Sequence, residues 1–286
     1  MKSIEALELM DRQVPAGNPR RTRDGSTLPR VRSISRAIHI MRAFTPERRH
    51  LTLAEIVRAT RLDAGTTRRI LVTLRDESIV RQDDNTGAYC LALDVLQIAG
   101  AVPEGNSLRE LTQSRLMRLA RDTGATVFLS ILRNNAAICL ARYHGESAVQ
   151  VRWWSVGGKL PLNCGAGPKV LLAHMPDEER DSFLNSNLTQ LTAKSVIDAA
   201  RLQQELDDIR ETGWAITHDD VAVGLSALAM PLTNADGDVL AAVSVGGLTA
   251  QIAGEGAPRC LDDLLRCGQD LATLVRSISP ASIPTE

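Results

Sequence analysis

Apolar residues recur every three or four positions in the segment that follows Val31, and this spacing predicts a helix that Pro46 ends. Ser33 is the N-cap that the pattern suggests for this helix. A second helix is predicted over LAEIVRAT, because Thr52 precedes it and Glu55 follows three residues later, which is the signature of a capping box. The pattern of apolar and polar residues therefore opens with two short helices.

A third helix and a hairpin complete this first group of elements. TTRRILVTLRDE carries its apolar stripe at Ile70, Leu71 and Leu74, which predicts a helix over these residues. The β-prone runs that follow it flank the turn sequence DNTG at 84–87, and this arrangement favours a β-hairpin. The predicted order is helix, helix, turn, helix and hairpin.

The remainder of the chain mixes helical and strand-like segments. A connecting helix is predicted over 92–101, and further helices over 107–123, 165–175, 177–185, 195–212 and about 258–278. The strand-like runs are TVFLSILR, AAICLARYHG, SAVQVRWWSV, WAITH, LSALAMPLTN and VLAAVSVGG. Five or six strands flanked by helices predict a mixed α+β domain.

Length and composition exclude several classes of protein. The 286 residues suit two domains, and no apolar run approaches the ~20 residues that a membrane helix needs. The N-terminal segment carries acids among its apolar residues and lacks the uninterrupted apolar stretch of a signal peptide. Five cysteines, without a CxxC spacing, disfavour a disulfide framework or a zinc ribbon and suit reduced thiols. We therefore expect a cytoplasmic protein.

Charge is divided unevenly along the chain. The formal net charge is −1, yet residues 1–92 hold 17 basic and 11 acidic side chains, a net charge of +6, and residues 93–286 have a net charge of −7. Residues 30–82 alone carry 12 arginines and five acids. Such a division points to nucleic-acid binding by the basic part. On charge alone, an ordinary solvated face fits equally well.

Two sets of motifs resemble a single family. VRSISRAIHIMRAF, LTLAEIVRATRL, TTRRILVTL and GAYCLALDVLQIA are similar to the N-terminal winged helix-turn-helix of the IclR family of bacterial transcription regulators. GGKLPLNCGAGPKVLLA, ELDDIRETGWAI and DDVAVGLSALAMPLTNADGDVLAAVSVGG resemble the effector-binding domain of the same family. The motifs follow one another in family order up to about residue 252. Two domains that match in order are a more specific signal than a helix-turn-helix alone.

The resemblance implies the domain organisation and the partners. It predicts an α+β protein with a flexible tail (1–29), a winged helix-turn-helix DNA-binding domain (30–91), a linker helix (92–106) and a GAF-like mixed α/β effector-binding domain (107–280). The implied partners are operator DNA, a small organic or aromatic acid as effector, and further copies of the chain in a dimer or a dimer of dimers. We expect no cofactor, no metal and no enzymatic activity, and the sequence leaves open whether the protein represses or activates.

The predicted DNA contacts follow from how a winged helix binds. Its second helix of the pair enters the major groove, and its hairpin contacts the neighbouring backbone. Thr66, Arg68 and Arg69 lie in the first turns of that helix, where an arginine can bind a guanine through two hydrogen bonds. The other predicted contacts are Arg36, Thr52 with the amides of its helix N-terminus, Gly65 and Arg81. Any single arginine here could instead form an ordinary ion pair.

Two positions depart from the family's pattern. Arg61 stands where the family usually has a glycine, and a left-handed backbone at this arginine costs roughly 1–2 kcal/mol. We therefore predict a turn that is built differently. Thr67 stands where the family usually has an apolar residue, so we expect its side chain to pack inward.

The resemblance also implies an effector cavity beside the sheet. The glycine-rich entry at 164–167 matches a segment whose amides face the ligand, and amides that converge at a helix N-terminus favour anions on physical grounds as well. Ser244 matches a hydroxyl that bonds the ligand, and Gly246 stands where some members have a second serine. The acidic pair Asp219 and Asp220 either orients a ligand or caps a turn. The full set is Arg152, Trp154, Leu160, Cys164, Ala166, Gly167, Asp219, Asp220, Leu225, Ala227, Ser244 and Gly246.

The run at 147–156 leaves two alternatives open. Arg152 pairs with an effector carboxylate if its side chain points inward, and it is a surface residue if it points outward. Trp153 and Trp154 point to opposite faces if the run is a strand, with one in the core or cavity wall and the other at an interface.

Cys164 suggests an alternative function. A thiol beside a helix N-terminus has a lowered pKa, which suits a redox sensor or a cysteine-dependent enzyme, with His218 as a conceivable partner in space. A small residue in a tight turn is the simpler interpretation. The sequence has no HxxxH, HExxH, GxSxG or P-loop pattern, so metal or nucleotide chemistry has no support. A third alternative, a non-specific architectural DNA binder, leaves the acidic domain without a role.

Overall fold

The computed structural model describes residues 31–45, 48–101, 105–146, 151, 154–254 and 256–278. Its described residues belong to two compact units, 31–101 in one and 105–278 in the other. The predicted tail at 1–29, Arg152 and Trp153 lie outside the described residues. Within these ranges, no helix is long and apolar enough to cross a membrane.

The smaller unit has the predicted order of elements. Three helices, α1 (Arg32–Arg42), α2 (Leu53–Thr60) and α3 (Ala64–Asp76), precede an antiparallel hairpin of β1 (Val80–Gln82) and β2 (Tyr89–Leu91), and α4 (Asp94–Gly100) follows. The apolar faces of the three helices meet the hairpin in one core, whose buried residues are Ile40, Phe44, Leu51, Ile56, Leu71, Leu74, Val80 and Tyr89. The helical spacing of apolar residues thus predicted all three helices, although it did not give every first residue.

The starts of α1 and α2 differ in how they are capped. The predicted capping box of α2 is present: the Thr52 hydroxyl accepts a hydrogen bond from the Glu55 N–H at 3.3 Å, and the Glu55 carboxylate accepts one from the Thr52 N–H at 2.8 Å. These bonds lower the pKa of Glu55. Ser33 is not the N-cap of α1, because the helix begins directly after Val31, which has no capping side chain.

The third helix begins two residues earlier than predicted. The Asp63 carboxylate accepts a hydrogen bond from the Thr66 N–H at 2.8 Å and so caps α3 from the position before Ala64. This bond also lowers the pKa of Asp63. Aspartate is a favoured N-cap because it satisfies an amide that the helix leaves free.

The turn between α2 and α3 is left-handed at Arg61. Its φ of 56° and ψ of 23° place this residue where a glycine would be unstrained, so the prediction of a differently built turn is wrong. The Arg61 N–H donates to the Val57 carbonyl at 2.8 Å and ends α2. The two helices that this turn joins pack against each other.

The larger unit contains one six-stranded antiparallel sheet. Its strands are β3 (Thr126–Arg133), β4 (Ala136–His144), β5 (Lys159–Pro161), β6 (Ala215–His218), β7 (Leu225–Thr233) and β8 (Val239–Leu248), in the spatial order β5-β4-β3-β8-β7-β6. The helices are α5 (Gly105–Thr123), α6 (Ala166–Ala173), α7 (Asp177–Leu184), α8 (Ala199–Thr212), α9 (Thr249–Ile252) and α10 (Leu261–Leu274). The predicted mixed α+β class is confirmed.

Helices cover both faces of the sheet. On one face α5 and α10 pack together, with the α9 turn beside them, around a core that includes Leu116, Leu129 and Leu264. On the other face α6 lies against β7 and β8, and α8 packs on α6. Successive side chains of a strand point to opposite faces, so each central strand contributes to both cores.

Two details differ from the predicted elements. The described residues of the SAVQVRWWSV run, which are 151 and 154–156, form no strand, and the edge strand is instead Lys159–Pro161, paired with β4. Helix α8 begins at Ala199 rather than at 195, because the Asp198 carboxylate caps it by accepting from the Arg201 N–H at 2.8 Å. A three-residue strand offers too short a pattern for the sequence to reveal.

We predict that Arg61→Gly stabilises the protein by about 0.5–1 kcal/mol, because relief of the left-handed strain exceeds the added flexibility of the unfolded chain. Chemical denaturation of the smaller unit measures this change. Arg58→Gly is the matched control: it removes the same charge inside α2 and should destabilise by about 1 kcal/mol. A loss of stability in Arg61→Gly would contradict the account of the turn.

Candidate nucleic-acid interface and buried cavity

Helix α3 presents its basic residues to solvent. Arg68 and Arg69 are exposed in its second turn, whereas Thr67 is fully buried and its hydroxyl donates to the Asp63 carbonyl at 2.9 Å. The expected inward packing of Thr67 is therefore confirmed. Thr66 is half-buried beside the arginines. One face of α3 thus anchors the helix and the other offers guanidinium groups.

The fold does not require a glycine at position 65. A β-carbon at this exposed position would meet only the Asp63 carboxylate, at an ordinary distance of 3.4 Å. The structure would therefore tolerate a side chain here. The prediction for this glycine stays that it allows the DNA phosphate backbone to approach the helix closely.

The side chains of the other predicted DNA contacts differ in the hydrogen bonds that they already form within the protein. Arg36 is exposed on α1, and Arg81 is exposed on β1, where its Nε–H donates to the Cys90 thiol sulfur across the hairpin at 3.2 Å. The hydroxyl of Thr52 donates to the Glu55 carboxylate at 2.7 Å. Thr52 must therefore exchange this bond before its hydroxyl can donate to a phosphate.

A cavity lies on the α6 face of the large sheet. The empty space within it is about 460 Å³, a figure that includes solvent at its mouth. The lining residues are Phe128, Val151, Trp154, Leu160, Gly165, Ala166, Gly167, Pro168, Thr217, Asp220, Val221, Leu225, Ser226, Ala227, Ser244 and Gly246. The first turn of α6 forms its roof, and the walls are mostly apolar.

The register of the strands creates the floor of the cavity. Thr217, Ala227 and Gly246 stand side by side across β6, β7 and β8, and Ser244 lies beside Phe128 of β3 in the next row. Small side chains at Ala227 and Gly246 leave the space open. The Trp154 ring contacts Phe128, with ring centroids 5.2 Å apart, and its Nε1–H donates to the Gly158 carbonyl at 3.0 Å.

Helix α6 lies directly on two buried hydroxyls. A β-carbon at Gly167 would be 3.2 Å from the Ser130 Oγ and 3.4 Å from the Ser244 Oγ, closer than most side-chain contacts. The glycine therefore permits this approach of helix and sheet. Ser244 is 3% exposed, and its hydroxyl forms no hydrogen bond with another described residue.

A buried ammonium group holds the roof to its surroundings. Lys169 Nζ lies 2.8 Å from a carboxylate oxygen of Glu205 on α8 and 3.1 Å from Asp220 Oδ2, and Lys169 is only 3% exposed. Burial by itself lowers the pKa of Lys169, but the charges of Asp220 and Glu205 outweigh this effect, so the pKa lies above its ordinary value. Asp220 Oδ2 also accepts the Gly165 N–H at 3.0 Å.

Asp219 is not part of the cavity wall. Its carboxylate accepts from the Gly224 N–H at 2.6 Å and its carbonyl accepts from the Thr192 hydroxyl at 2.6 Å. The acidic pair thus divides into a residue that caps a turn and a residue, Asp220, that lines the cavity.

Cys164 does not have the environment of a reactive thiol. It is fully buried, is not a lining residue, and donates to the Thr189 carbonyl at 3.3 Å. Burial, together with the smaller effect of the Asp220 charge, raises the pKa of this thiol to about 12, so the expectation of a lowered pKa is wrong. His218 lies 2.8 Å from the Ser226 hydroxyl instead. Desolvation outweighs the helix N-terminus here.

Most residues carried over from the resemblance come together in the cavity wall. These are Trp154, Leu160, Ala166, Gly167, Asp220, Leu225, Ala227, Ser244 and Gly246. Cys164 and Asp219 do not line the cavity, and Arg152 lies outside the described residues. The sequence missed Phe128 and Thr217, which the alternation of β3 and β6 places on the same face as Ser244. Contact of any of these residues with an effector stays a prediction.

Comparison with known proteins defines the class. The IclR helix-turn-helix domain matches residues 33–84, and the bacterial transcriptional regulator IclR C-terminal domain matches residues 100–273. Together these matches define a bacterial transcription regulator with a DNA-binding domain. The chain belongs to the IclR family.

Relatives match along most of the chain. The Pca regulon regulatory protein of Pseudomonas putida is 28% identical over 241 residues, 84% of this chain and 82% of the relative. The HTH-type transcriptional regulator XynR of Escherichia coli K12 is 26% identical over 226 residues, 79% of this chain and 89% of the relative.

Solved structures share the fold. A transcriptional regulator from Rhodococcus sp. RHA1 superposes with a TM-score of 0.70 at 25% identity, over 86% of this chain and 98% of that one. An IclR homolog from Microbacterium hydrocarbonoxydans, complexed with 4-hydroxybenzoate, has a TM-score of 0.74 at 22% identity, over 86% of this chain and all of that one.

We predict that no thiol of the native protein reacts rapidly with an aromatic disulfide reagent at pH 8. All five cysteines are buried, and at a pKa of about 12 roughly one Cys164 in ten thousand is a thiolate at that pH. Absorbance of the released thiol measures the reaction, and denaturant should expose all five groups. One fast native thiol that Cys164→Ser abolishes would restore the redox hypothesis.

Proposed function

We propose that this protein binds a specific operator through α3 and that a small molecule in the cavity controls this binding. The observation that carries the proposal is the combination of one basic, solvent-facing recognition helix in the smaller unit with a mostly apolar cavity in the larger unit. A regulator needs both features, and an architectural DNA binder needs no cavity. The protein acts in the cytoplasm as a regulator and not as an enzyme.

The DNA-binding proposal rests on how α3 divides its residues. Buried Thr67, Leu71 and Leu74 fix the helix against the core of the unit. Arg68 and Arg69 are exposed on the early turns, where a major-groove helix contacts base edges. The hairpin arginine Arg81 and Arg36 on α1 supply charge for the phosphates on either side.

Arg68→Ala should weaken binding to an operator selected from random duplexes by about 10- to 100-fold, since a two-bond arginine–guanine contact is worth roughly 1–3 kcal/mol. Fluorescence anisotropy measures this change beside binding to scrambled DNA, which should weaken far less. Arg75→Ala is the matched control, because it removes the same charge from the exposed end of α3. Equal loss on operator and scrambled DNA in Arg68→Ala would contradict base recognition.

The chain acts on the operator as a dimer or a dimer of dimers. In support, α4 has seven residues and none of them is buried, while Leu93, Leu96 and Ile98 are 79%, 67% and 62% exposed. A helix this short and apolar is only marginally stable when it is exposed to water. It therefore needs a partner that covers its apolar side chains. Titration of the operator to its equivalence point measures the number of chains bound. One chain per duplex would contradict the dimer.

The proposed effector is an organic or aromatic acid. Phe128 and Trp154 suit a flat apolar body, and the Ser244 hydroxyl beside the first turn of α6 suits a polar end. Arg152 remains a proposed partner for the carboxylate. The effector acts only if its affinity differs between two arrangements of the paired reading helices, a difference that we assign to the segment at 92–101.

A thermal-shift screen tests the effector proposal, because a ligand that binds only the native protein raises its melting temperature. 4-Hydroxybenzoate, the ligand of the Microbacterium hydrocarbonoxydans homolog, is the first probe in a panel of aromatic and aliphatic acids. We expect a concentration-dependent rise for at least one acid, reduced in Ser244→Ala. A panel without a stabilising acid would contradict this class of effector.

A further inference from the structure

An internal carboxylate already occupies the anion position of the cavity. Asp220 is 4% exposed, and its Oδ2 accepts the Gly165 N–H at 3.0 Å and pairs with Lys169 Nζ at 3.1 Å. A backbone amide before the first turn of a helix and a buried ammonium are the two groups that best hold a carboxylate in an apolar site. In this structure both are engaged by the protein's own side chain.

The cavity also presents polar groups that lack a protein partner. The Ser244 hydroxyl, 3% exposed beneath Gly167, forms no hydrogen bond with a described residue. Asp220 Oδ1 likewise accepts none from the described part of the chain. Both residues line the cavity, so a hydroxyl and a carboxylate oxygen without a partner among the described residues are available there to a ligand.

The loop that carries Asp220 is attached to the rest of the unit by a few polar contacts. The Asp220 carbonyl accepts from the Ser195 hydroxyl at 2.6 Å, and the Asp219 carbonyl accepts from the Thr192 hydroxyl. Asp219 has a left-handed φ of 58°, a conformation that costs about 1 kcal/mol or more in a residue other than glycine. Val223 in the same loop is 74% exposed.

We infer that Asp220 is an internal substitute for the effector's carboxylate: an acidic effector takes the position between the Gly165 N–H and Lys169 Nζ, and Asp220 leaves with the 219–224 loop. This inference rests on the proposed function only in taking the effector to be an acid. It adds a device by which occupancy of the cavity changes the shape of the unit.

The balance of buried charge favours replacement of the Asp220 carboxylate by the effector's carboxylate over binding of the effector beside Asp220. Lys169 already faces two carboxylates, those of Asp220 and Glu205, and Glu205 has a second, longer contact with Arg201 at 3.7 Å. The described residues that line the cavity include no cation, so a third carboxylate beside Asp220 would be a charge that none of them compensates, which is strongly unfavourable. Replacement of one carboxylate by another leaves the buried charge unchanged. The open Ser244 hydroxyl then gives the effector a bond that Asp220 does not make.

Chemical rescue tests whether the position binds a free carboxylate. Asp220→Ala vacates it and leaves Lys169 paired with Glu205, so sodium acetate should raise the melting temperature of this variant by several degrees more than sodium chloride of equal ionic strength. The wild type and the matched control Asp219→Ala should show no such preference for acetate. An equal response of all three proteins would overturn the inference.

Exchange of amide hydrogens in the 219–224 loop tests the displacement itself. Asp220→Asn, which keeps the shape without the charge, should bind benzoate about tenfold or more tightly than the wild type does, and benzyl alcohol equally. In the wild type, saturating benzoate should accelerate exchange in the loop. Slower exchange there would show that Asp220 stays in place and would overturn the inference.

The outcomes separate this inference from the proposed function. If benzoate binds Asp220→Asn more tightly than the wild type and accelerates loop exchange in the wild type, displacement of Asp220 is supported. If neither protein binds any carboxylate, the substitution by Asp220 is overturned. The proposed regulation then still stands if an uncharged molecule changes operator binding.

Discussion

The ammonium group of Lys169 connects three parts of the larger unit, and the cavity depends on this contact. Lys169 lies on α6, Glu205 on α8, and Asp220 on the loop at the rim, so a single buried charge joins the roof, the outer layer and the wall. Loss of the Lys169 ammonium typically costs about 3–5 kcal/mol, because the Asp220 carboxylate then stays buried without a cation. The raised pKa of Lys169 means that its stabilising contribution is complete below its unfolded pKa and is lost only as the pH rises through the higher folded value.

The same contact completes the wall and the roof of the cavity. Gly167 lets α6 lie on the Ser130 and Ser244 hydroxyls, which brings the amides of its first turn over the floor of the cavity. Asp220 accepts the N–H of Gly165, just before this turn, and pairs with the buried ammonium. An apolar cavity is thereby kept free of an unpaired charge in the absence of a ligand. In the smaller unit, too, a buried polar residue holds a helix in place: Thr67 anchors α3 to the core, while Arg68 on the other face remains in solvent.

The sequence predicted the elements far better than their chemistry. Helical spacing and the Thr52–Glu55 capping box are local signals, so α1 to α3 and the hairpin could be placed from them. The three-residue strand β5 is too short to show an alternation of apolar and polar residues. The Asp63 cap was not recognised from the sequence, so the predicted α3 began two residues late. The left-handed Arg61 contradicts its local preference because packing of two helices outweighs about 1–2 kcal/mol of strain.

Resemblance located Ser244 and Gly246, but only the strand register shows that Phe128 and Thr217 share their face. The pKa of Cys164 depends on burial by residues distant in sequence, and no local motif reports it.

The central claim is that the cavity and the recognition helix are thermodynamically coupled. The most direct test measures operator affinity by anisotropy with and without a saturating cavity ligand, and ligand affinity by calorimetry with and without operator. Coupling requires that the two affinities change by the same factor, for which about 5- to 150-fold is typical. We predict equal factors within this range, and loss of the ligand effect when Ser244→Ala no longer binds the ligand. Operator affinity that stays constant while the ligand occupies the cavity would contradict the account.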